Sequence, residues 1–269
     1  MDRFEQAGRA FARLCQIMAQ LRAPNGCAWD RKQTLDSLKP YLIEEAYETL
    51  EAIEAGDDNG HREELGDLLL QVVFQAEVTN ELGKFDIAGV CDTLTDKLIR
   101  RHPHVFGGEK ADDAGAALSR WENVKAKERD KNKSALAGVP RALPGLLRAL
   151  RASEKAAAVG FDWPSVTGPK AKVEEEWHEL LEALGEPGEH AKHVHELGDL
   201  LFAVVNLARH LDLDAEESLR HAVDRFQSRF QFIERRLAEQ DRTPKQATLE
   251  EMDRLWEEAK RQEGLPPKG

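Results

Sequence analysis

An all-α fold, duplicated along the chain, is what this sequence predicts, and three observations carry the prediction. Apolar residues recur at helical spacing nearly throughout, and alternating β-branched runs are few. Clusters of Gly, Pro, Asn and Asp punctuate the periodic stretches. The second half then repeats the first. "LKPYLIEEAYETLEAI" (38–53) aligns with "PKAKVEEEWHELLEAL" (169–184), and "EELGDLLLQVVFQAEV" (63–78) with "HELGDLLFAVVNLARH" (195–210). So long a period does not build a solenoid. It reads as duplication of a whole small helical domain.

Each element has its own warrant. "MDRFEQAGRAFARLCQIMAQL" makes an amphipathic helix over 3–22, ended by "APNGCAWD". A helix over 36–55 runs to the breaker "AGDDNG". The next, over 61–82, is apolar on nearly every side, which predicts a buried helix. Helices over 86–101 and 115–130 flank "HPHVFGGEKADD". "KERDKNKSALAGVPRALPG" is charged, then rich in Gly and Pro, and is the best domain boundary. It gives domains over 1–134 and 135–269. The second domain has helices over 140–157, 169–184, 189–211, 215–239 and 248–262, separated by "DWPSVTGP", "LGEPGE" and "DRTP". Lys97 aligns with Arg225, Arg101 with Arg229, and Trp121 with Trp256.

Composition narrows the function. At 269 residues with 41% hydrophobic and 33% charged residues, the chain can build real cores beneath solvated helix faces. A formal net charge of −12 argues against general DNA or RNA binding, which needs a basic surface. It leaves room for a small anion held through metal ions. Cys15, Cys27 and Cys91 are too few and too irregular for a disulfide framework or a zinc site, and read as reduced thiols. The N-terminus lacks a cleavable apolar core, and no stretch approaches a membrane span. A soluble cytoplasmic protein is expected.

The acids are the chemical signal. Glu64 and Asp67 open the most apolar helix of the first half, where a buried carboxylate costs several kcal/mol unless it is paired or bound to a metal. A solvated helix start would explain one such pair, but Glu196 and Asp199 repeat it. Each half also carries Glu-x-x-Glu on the preceding helix: Glu45 and Glu48, then Glu176 and Glu179. Residues three apart share a helix face. Two such helices packed antiparallel can bring four carboxylates together. All-oxygen ligation suits Mg²⁺ or Mn²⁺, and Mg²⁺ keeps positions open for water and phosphates. Metal-assisted chemistry on a phosphate ester or anhydride follows. A di-iron site would need Glu-x-x-His on two helices, whereas Glu175-x-x-His178 occurs once and Tyr47 stands at the matching place. His178 is expected at the surface, and "HPH" (102–104) and "HVH" (193–195) are weak metal signals. Lys172, Lys192, Arg225 and Arg229 suit phosphate handling, although surface ion pairing is the default for any one of them. Trp256 could stack on a nucleobase or anchor the core.

The motif set resembles the MazG family of nucleoside triphosphate pyrophosphohydrolases, in its tandem two-domain bacterial form. "CAWDRKQTLDSLKPYLIEEAYE", "EELGDLLLQVVF", "KLIRRHPHVFG", "GVPRALPGLLRA", "VGFDWP", "ELGDLLFAVVNLARH" and "LWEEAKRQE" carry the resemblance. Ala28 departs from it, where the family has Pro in "CPWD". The resemblance implies two four-helix-bundle-like domains, a homodimer, and Mg²⁺-dependent hydrolysis of NTP to NMP and pyrophosphate with broad base tolerance. It implies that the C-terminal half is the main working site, with Glu176, Glu179, Glu196 and Asp199 as metal ligands. Nucleotide contacts would come from Lys172, Val173, Glu174, Glu175 and Glu176, and from Lys192, His193, Val194 and His195. Arg225, Phe226, Gln227, Ser228, Arg229 and Trp256 would complete them. Glu45, Glu48, Glu64 and Asp67 form a second, less certain site, and Glu175 is a candidate base. The rival reading is a non-catalytic nucleotide sensor or protein-binding scaffold.

Overall fold

The computed structural model describes residues 2–108, 113, 115, 117, 120, 121, 124, 134–185 and 189–264. Among these residues the regular structure is wholly helical, with ten helices and two short 3₁₀ turns. The helix expected over 115–130 lies largely outside the described residues. The chain divides into two compact units, Met1–Asp130 and Lys131–Gly269.

The first unit contains α1 (Arg3–Arg22), α2 (Lys39–Ala55), α3 (Asp58–Glu81), α4 (Ile87–Arg101) and the single turn α5 (Pro103–Phe106). Aspartates start three of these helices. The side chains of Asp2, Asp57 and Asp86 accept from the amides of Phe4, Asn59 and Gly89, satisfying donors with no partner inside the helix. Helix α2 begins three residues later than the sequence suggests. Thr34 and Ser37 cap each other's amides and hold a turn there, and Pro40 then opens the helix. Gly56 closes α2 at φ 64, a left-handed conformation that costs glycine little. The chain thus reverses within a few residues, and α3 packs back along α2. Helix α3 is central, touching α1, α2 and α4. Met18, Leu38, Val73, Phe74 and Val78 form the core, joined by Phe11, Leu14, Cys15, Leu35, Leu70 and Ile87.

The second unit repeats this plan with α6 (Gly145–Ala157), α7 (Thr167–Leu184), α8 (His190–His210), α9 (Ala215–Ala238) and α10 (Leu249–Gln262). Helix α6 was expected from about residue 140. Pro140 and Pro144 lack amide protons and disfavour helix before them, so it starts at Gly145. Helix α8 is central here, packing on α6, α7 and α9, while α10 lies on α9. Leu150, Leu180, Ala183, Ala203, Val205, Ile233, Leu237 and Ala259 are buried.

The expectation that the apolar helix of the first half is buried all round needs correction. Leu65, Leu69 and Val72 of α3 are 48%, 38% and 39% exposed. Three neighbours within a unit cannot surround a central helix, so one apolar stripe is left open. Helix α8 repeats this with exposed Leu197, Leu201 and Val204. No helix among the described residues is long and apolar enough to cross a membrane.

Candidate metal and nucleotide site

The α7–α8 pair builds the first acidic cluster. One carboxylate oxygen each from Glu176, Glu196 and Asp199 lies within 4.8 Å of the others. Glu176 is 5% exposed, and its Oε2 is buried without a hydrogen-bond partner. A buried carboxylate oxygen left unpaired is costly. Its setting among other carboxylates suits a hard cation with oxygen ligands, so the residues fit a divalent metal. Glu179 stands one turn from Glu176, exposed and outside that closest set. Its carboxyl is pushed up by lost hydration and then by the charge of Glu176. Lys172 answers the acids from its own helix. Its Nζ lies 2.8 Å from Glu175 Oε1 and 2.6 Å from Glu176 Oε1, and the hydrogen bonds to Glu175 and Glu176 raise its pKa.

The α2–α3 pair builds the second cluster, from Glu45, Glu48 and Glu64, with oxygens again within 4.8 Å. Asp67 is exposed and outside the closest set, yet its charge helps hold the Glu45 carboxyl above its ordinary range, after burial. Glu64 is raised by lost hydration and then by Glu48 and Asp67. Gln71, which sequence reasoning passed over, is buried beside them and donates from Nε2 to Glu45 Oε1 at 3.4 Å.

The basic and aromatic residues gather on α9 and α10. The Arg229 guanidinium lies 5.3 Å from the Trp256 ring centroid and donates to Glu263 Oε2 at 2.9 and 2.8 Å. Phe226 meets Trp256 at 5.3 Å with the planes tilted by 52°. Arg225, Gln227 and Ser228 are exposed on α9. Lys260 was not anticipated. It is buried, one turn beyond Trp256, and bonds Glu257 at 2.6 Å. The Trp-x-x-x-Lys spacing, which places both on one helix face, was the available signal. Early in α8, His193 donates from Nε2 to the Ala183 carbonyl at 2.8 Å, tying α8 to the end of α7. Val194 is exposed, and His195 Nε2 lies 3.4 Å from Asp199 Oδ2. Val173 is half-buried, while Glu174 is exposed and pairs with Lys170 at 3.9 Å. His178 is exposed, as expected.

A model of the MazG nucleotide pyrophosphohydrolase domain matches residues 33–106 and 167–231. The chain is 47% identical over 257 residues to the nucleoside triphosphate pyrophosphohydrolase/pyrophosphatase MazG of Thermotoga maritima, covering 95% of this chain and 98% of that protein. The chain belongs to the MazG family. It is also 46% identical over 255 residues to the nucleoside triphosphate pyrophosphohydrolase of Escherichia coli K12, across 93% of this chain and 97% of that protein. The uncharacterized protein YabN of Bacillus subtilis is 44% identical over 94% of this chain, which spans 52% of YabN. The two segments matching the MazG domain contain the two acidic clusters. Trp256 and Lys260 lie beyond them.

A polar clamp in this MazG chain sets the entry to α7. Arg209 at the end of α8 grips Asp162 with bonds of 2.9 and 2.5 Å, and His210 Nε2 lies 3.0 Å from Asp162 Oδ1. The Arg209 bond holds the Asp162 carboxyl well below its usual range. Trp163 then packs on Gly168, where an added Cβ would come within 2.2 Å of the indole. Only glycine allows that approach in the first turn of α7, the helix that carries Lys172 and Glu176.

Proposed function

We propose that this MazG chain hydrolyses nucleoside triphosphates to nucleoside monophosphates and pyrophosphate in the cytoplasm, with its main site in the second unit. The observation that carries this reading is the unpartnered, buried Oε2 of Glu176 within 4.8 Å-spaced acids from two helices. Glu176, Glu179, Glu196 and Asp199 would hold Mg²⁺, with Mn²⁺ able to replace it. When bound, such a cation supplies charge neutralisation for the phosphates and a more acidic water.

The chain's own groups do the rest. Lys172, Lys192, Arg225 and Arg229 hold phosphate oxygens and orient the α-phosphorus toward the attacking water. Arg229 grips in the planar fork geometry that suits phosphate. Glu175 takes the proton of that water, released from Lys172 as the ammonium turns to the phosphates. The Trp256 face, already flanked by Phe226 and Arg229, supports the base by stacking. Stacking reads no hydrogen-bonding edge, which suits broad base tolerance. Residues 172–176, 192–195 and 225–229 together form the nucleotide-contacting surface. The open apolar stripes of α3 and α8 support a homodimer in which a second copy covers them.

Product analysis tests the reaction. Purified chain with Mg²⁺ and any common NTP is expected to release NMP and pyrophosphate. Formation of NDP and phosphate, or nucleotide bound and returned unchanged, overturns the proposal.

A further inference from the structure

Lys172 is brought into the α7–α8 acidic cluster by its own helix. It stands one turn before Glu175 and Glu176, and i,i+3 and i,i+4 spacing carries its ammonium to both. Its Nζ lies 2.8 Å from Glu175 Oε1 and 2.6 Å from Glu176 Oε1. The two partners differ. Glu175 is exposed, whereas Glu176 is buried and has an oxygen within 4.8 Å of oxygens of Glu196 and Asp199. One oxygen of the Glu176 carboxylate thus answers Lys172, and the other, Oε2, is the buried one without a partner. The same carboxylate is offered to an ammonium through one oxygen and to a divalent cation through the other.

The fold does not need a lysine there. Glu45 corresponds to Glu176 at an offset of 131, which puts Tyr41 where the second unit has Lys172. Helices α2 and α3 pack together all the same and bring oxygens of Glu45, Glu48 and Glu64 within 4.8 Å of one another. Nor is the Lys172 ion pair a strong structural bond. Lysine before glutamate is the weaker order along a helix, and the Lys172 side chain is 37% exposed, where ion pairs open readily. A readily opened pair on the most buried acid of the cluster suits a placeholder.

We propose that Lys172 is an internal counter-cation that weakens metal binding at the second-unit cluster until nucleotide arrives. An ammonium and a dication on the two oxygens of one carboxylate stand only a few ångströms apart and repel at that range. Metal alone therefore binds against the Lys172 charge. A triphosphate offers the ammonium oxygens of higher charge and draws it off Glu175 and Glu176. The same movement frees Glu176 for the cation and Glu175 for the proton of the attacking water. Metal and nucleotide thus strengthen each other's binding, by the same factor in either direction. This inference rests on reading the second cluster as the cation and nucleotide site, and is independent of which phosphorus is attacked.

The decisive quantity is metal affinity without nucleotide, because a triphosphate chelates metal by itself. Mn²⁺ binding to the chelator-treated full-length chain is followed by electron paramagnetic resonance and calorimetry. The class of sites lost in Glu196→Gln is assigned to the second unit. Lys172→Met should tighten that class about tenfold, whereas Lys172→Arg, which keeps the charge, should leave it within about twofold of the parent. If the parent class is too weak to resolve, its appearance in Lys172→Met is the same result. Saturating α,β-methylene ATP, which cannot be cleaved at that bridge, should raise metal affinity more in the parent than in Lys172→Met. Both variants alter a position where the first unit carries Tyr41, so they are expected to stay folded, which circular dichroism checks. Unchanged metal affinity in folded Lys172→Met overturns the proposal. Equal tightening in Lys172→Arg, or an equal nucleotide effect in parent and Lys172→Met, does so too. Pyrophosphate release by the parent chain with no change of metal affinity in Lys172→Met would sink this inference and leave the proposed function standing. A tightened metal site in Lys172→Met with no pyrophosphate release by the parent would do the reverse.

Discussion

Removing the Asp162 carboxylate should loosen the second unit measurably, and the size of the effect can be worked from the clamp. Asp162→Ala deletes two hydrogen bonds from the Arg209 guanidinium, one from the Trp163 backbone amide and one contact with His210. The Arg209 side chain is 17% exposed and that of Asp162 27%, so the pair is largely withdrawn from water. Breaking a fully buried pair costs about 3–5 kcal/mol, and an exposed one roughly 0–1. Arg209 keeps contact with Asn206 Oδ1 at 3.3 and 3.2 Å, which softens the loss. An intermediate cost of about 2 kcal/mol follows. With a urea slope of roughly 2 kcal/mol per molar, the second-unit transition should fall by about 1 M urea. Circular dichroism of the full chain reads this, and the Trp163 environment should change with it. The pH dependence has a definite sign. The hydrogen bonds from Arg209 hold the folded Asp162 carboxyl below the ordinary carboxylate range, so its stabilisation is fully present above that range. It is lost progressively as the pH falls below about 4. The gap between parent and variant should therefore close in acid. A shift under about 0.3 M urea at neutral pH, or a gap that widens in acid, would refute the reasoning.

Three further outcomes are expected. Glu196→Gln should lower turnover by about three orders of magnitude, as several kcal/mol of charge stabilisation are lost, while the helical circular dichroism is kept; steady-state pyrophosphate release measures it. Trp256→Ala should raise KM about tenfold for purine and pyrimidine triphosphates alike, since stacking is worth about 1–3 kcal/mol and tolerates any base; a loss confined to one base would contradict it. Leu69→Glu places a charge on the open stripe of α3, and light scattering after gel filtration should show a smaller assembly than the parent chain; an unchanged mass would remove that stripe from the interface.

Much of the fold was legible because helix signals are local. The periodic runs, the Asp caps, Gly56 and the proline pairs each act within a few residues of themselves, and so the ends of α1, α4, α7 and α10 lie within two residues of their expected positions. Where α2 and α6 start later than expected, the cause is again local, in the Thr34–Ser37 turn and in Pro144. The two Glu-x-x-Glu and two Glu-x-x-Asp pairs were equally visible, because i,i+3 spacing places both acids on one face before any packing occurs. The exposure of Leu65 and Leu69 was not visible. Apolarity says that a surface must be covered, but it does not say whether the covering belongs to the same unit.

By itself, then, the amino-acid order determined nine of the ten described helices, their duplication and the presence of acid pairs along them. Only the tertiary structure decided which oxygens meet. It set Glu176 against Glu196 and Asp199, gave Lys172 to Glu175 and Glu176, and closed Gln71 against Glu45. It also joined Asp162 to Arg209 across 47 residues of sequence. The physical reason is that a helix sets the spacing of its own side chains within one turn, whereas the rotation and register of one helix on another come from packing across the whole unit.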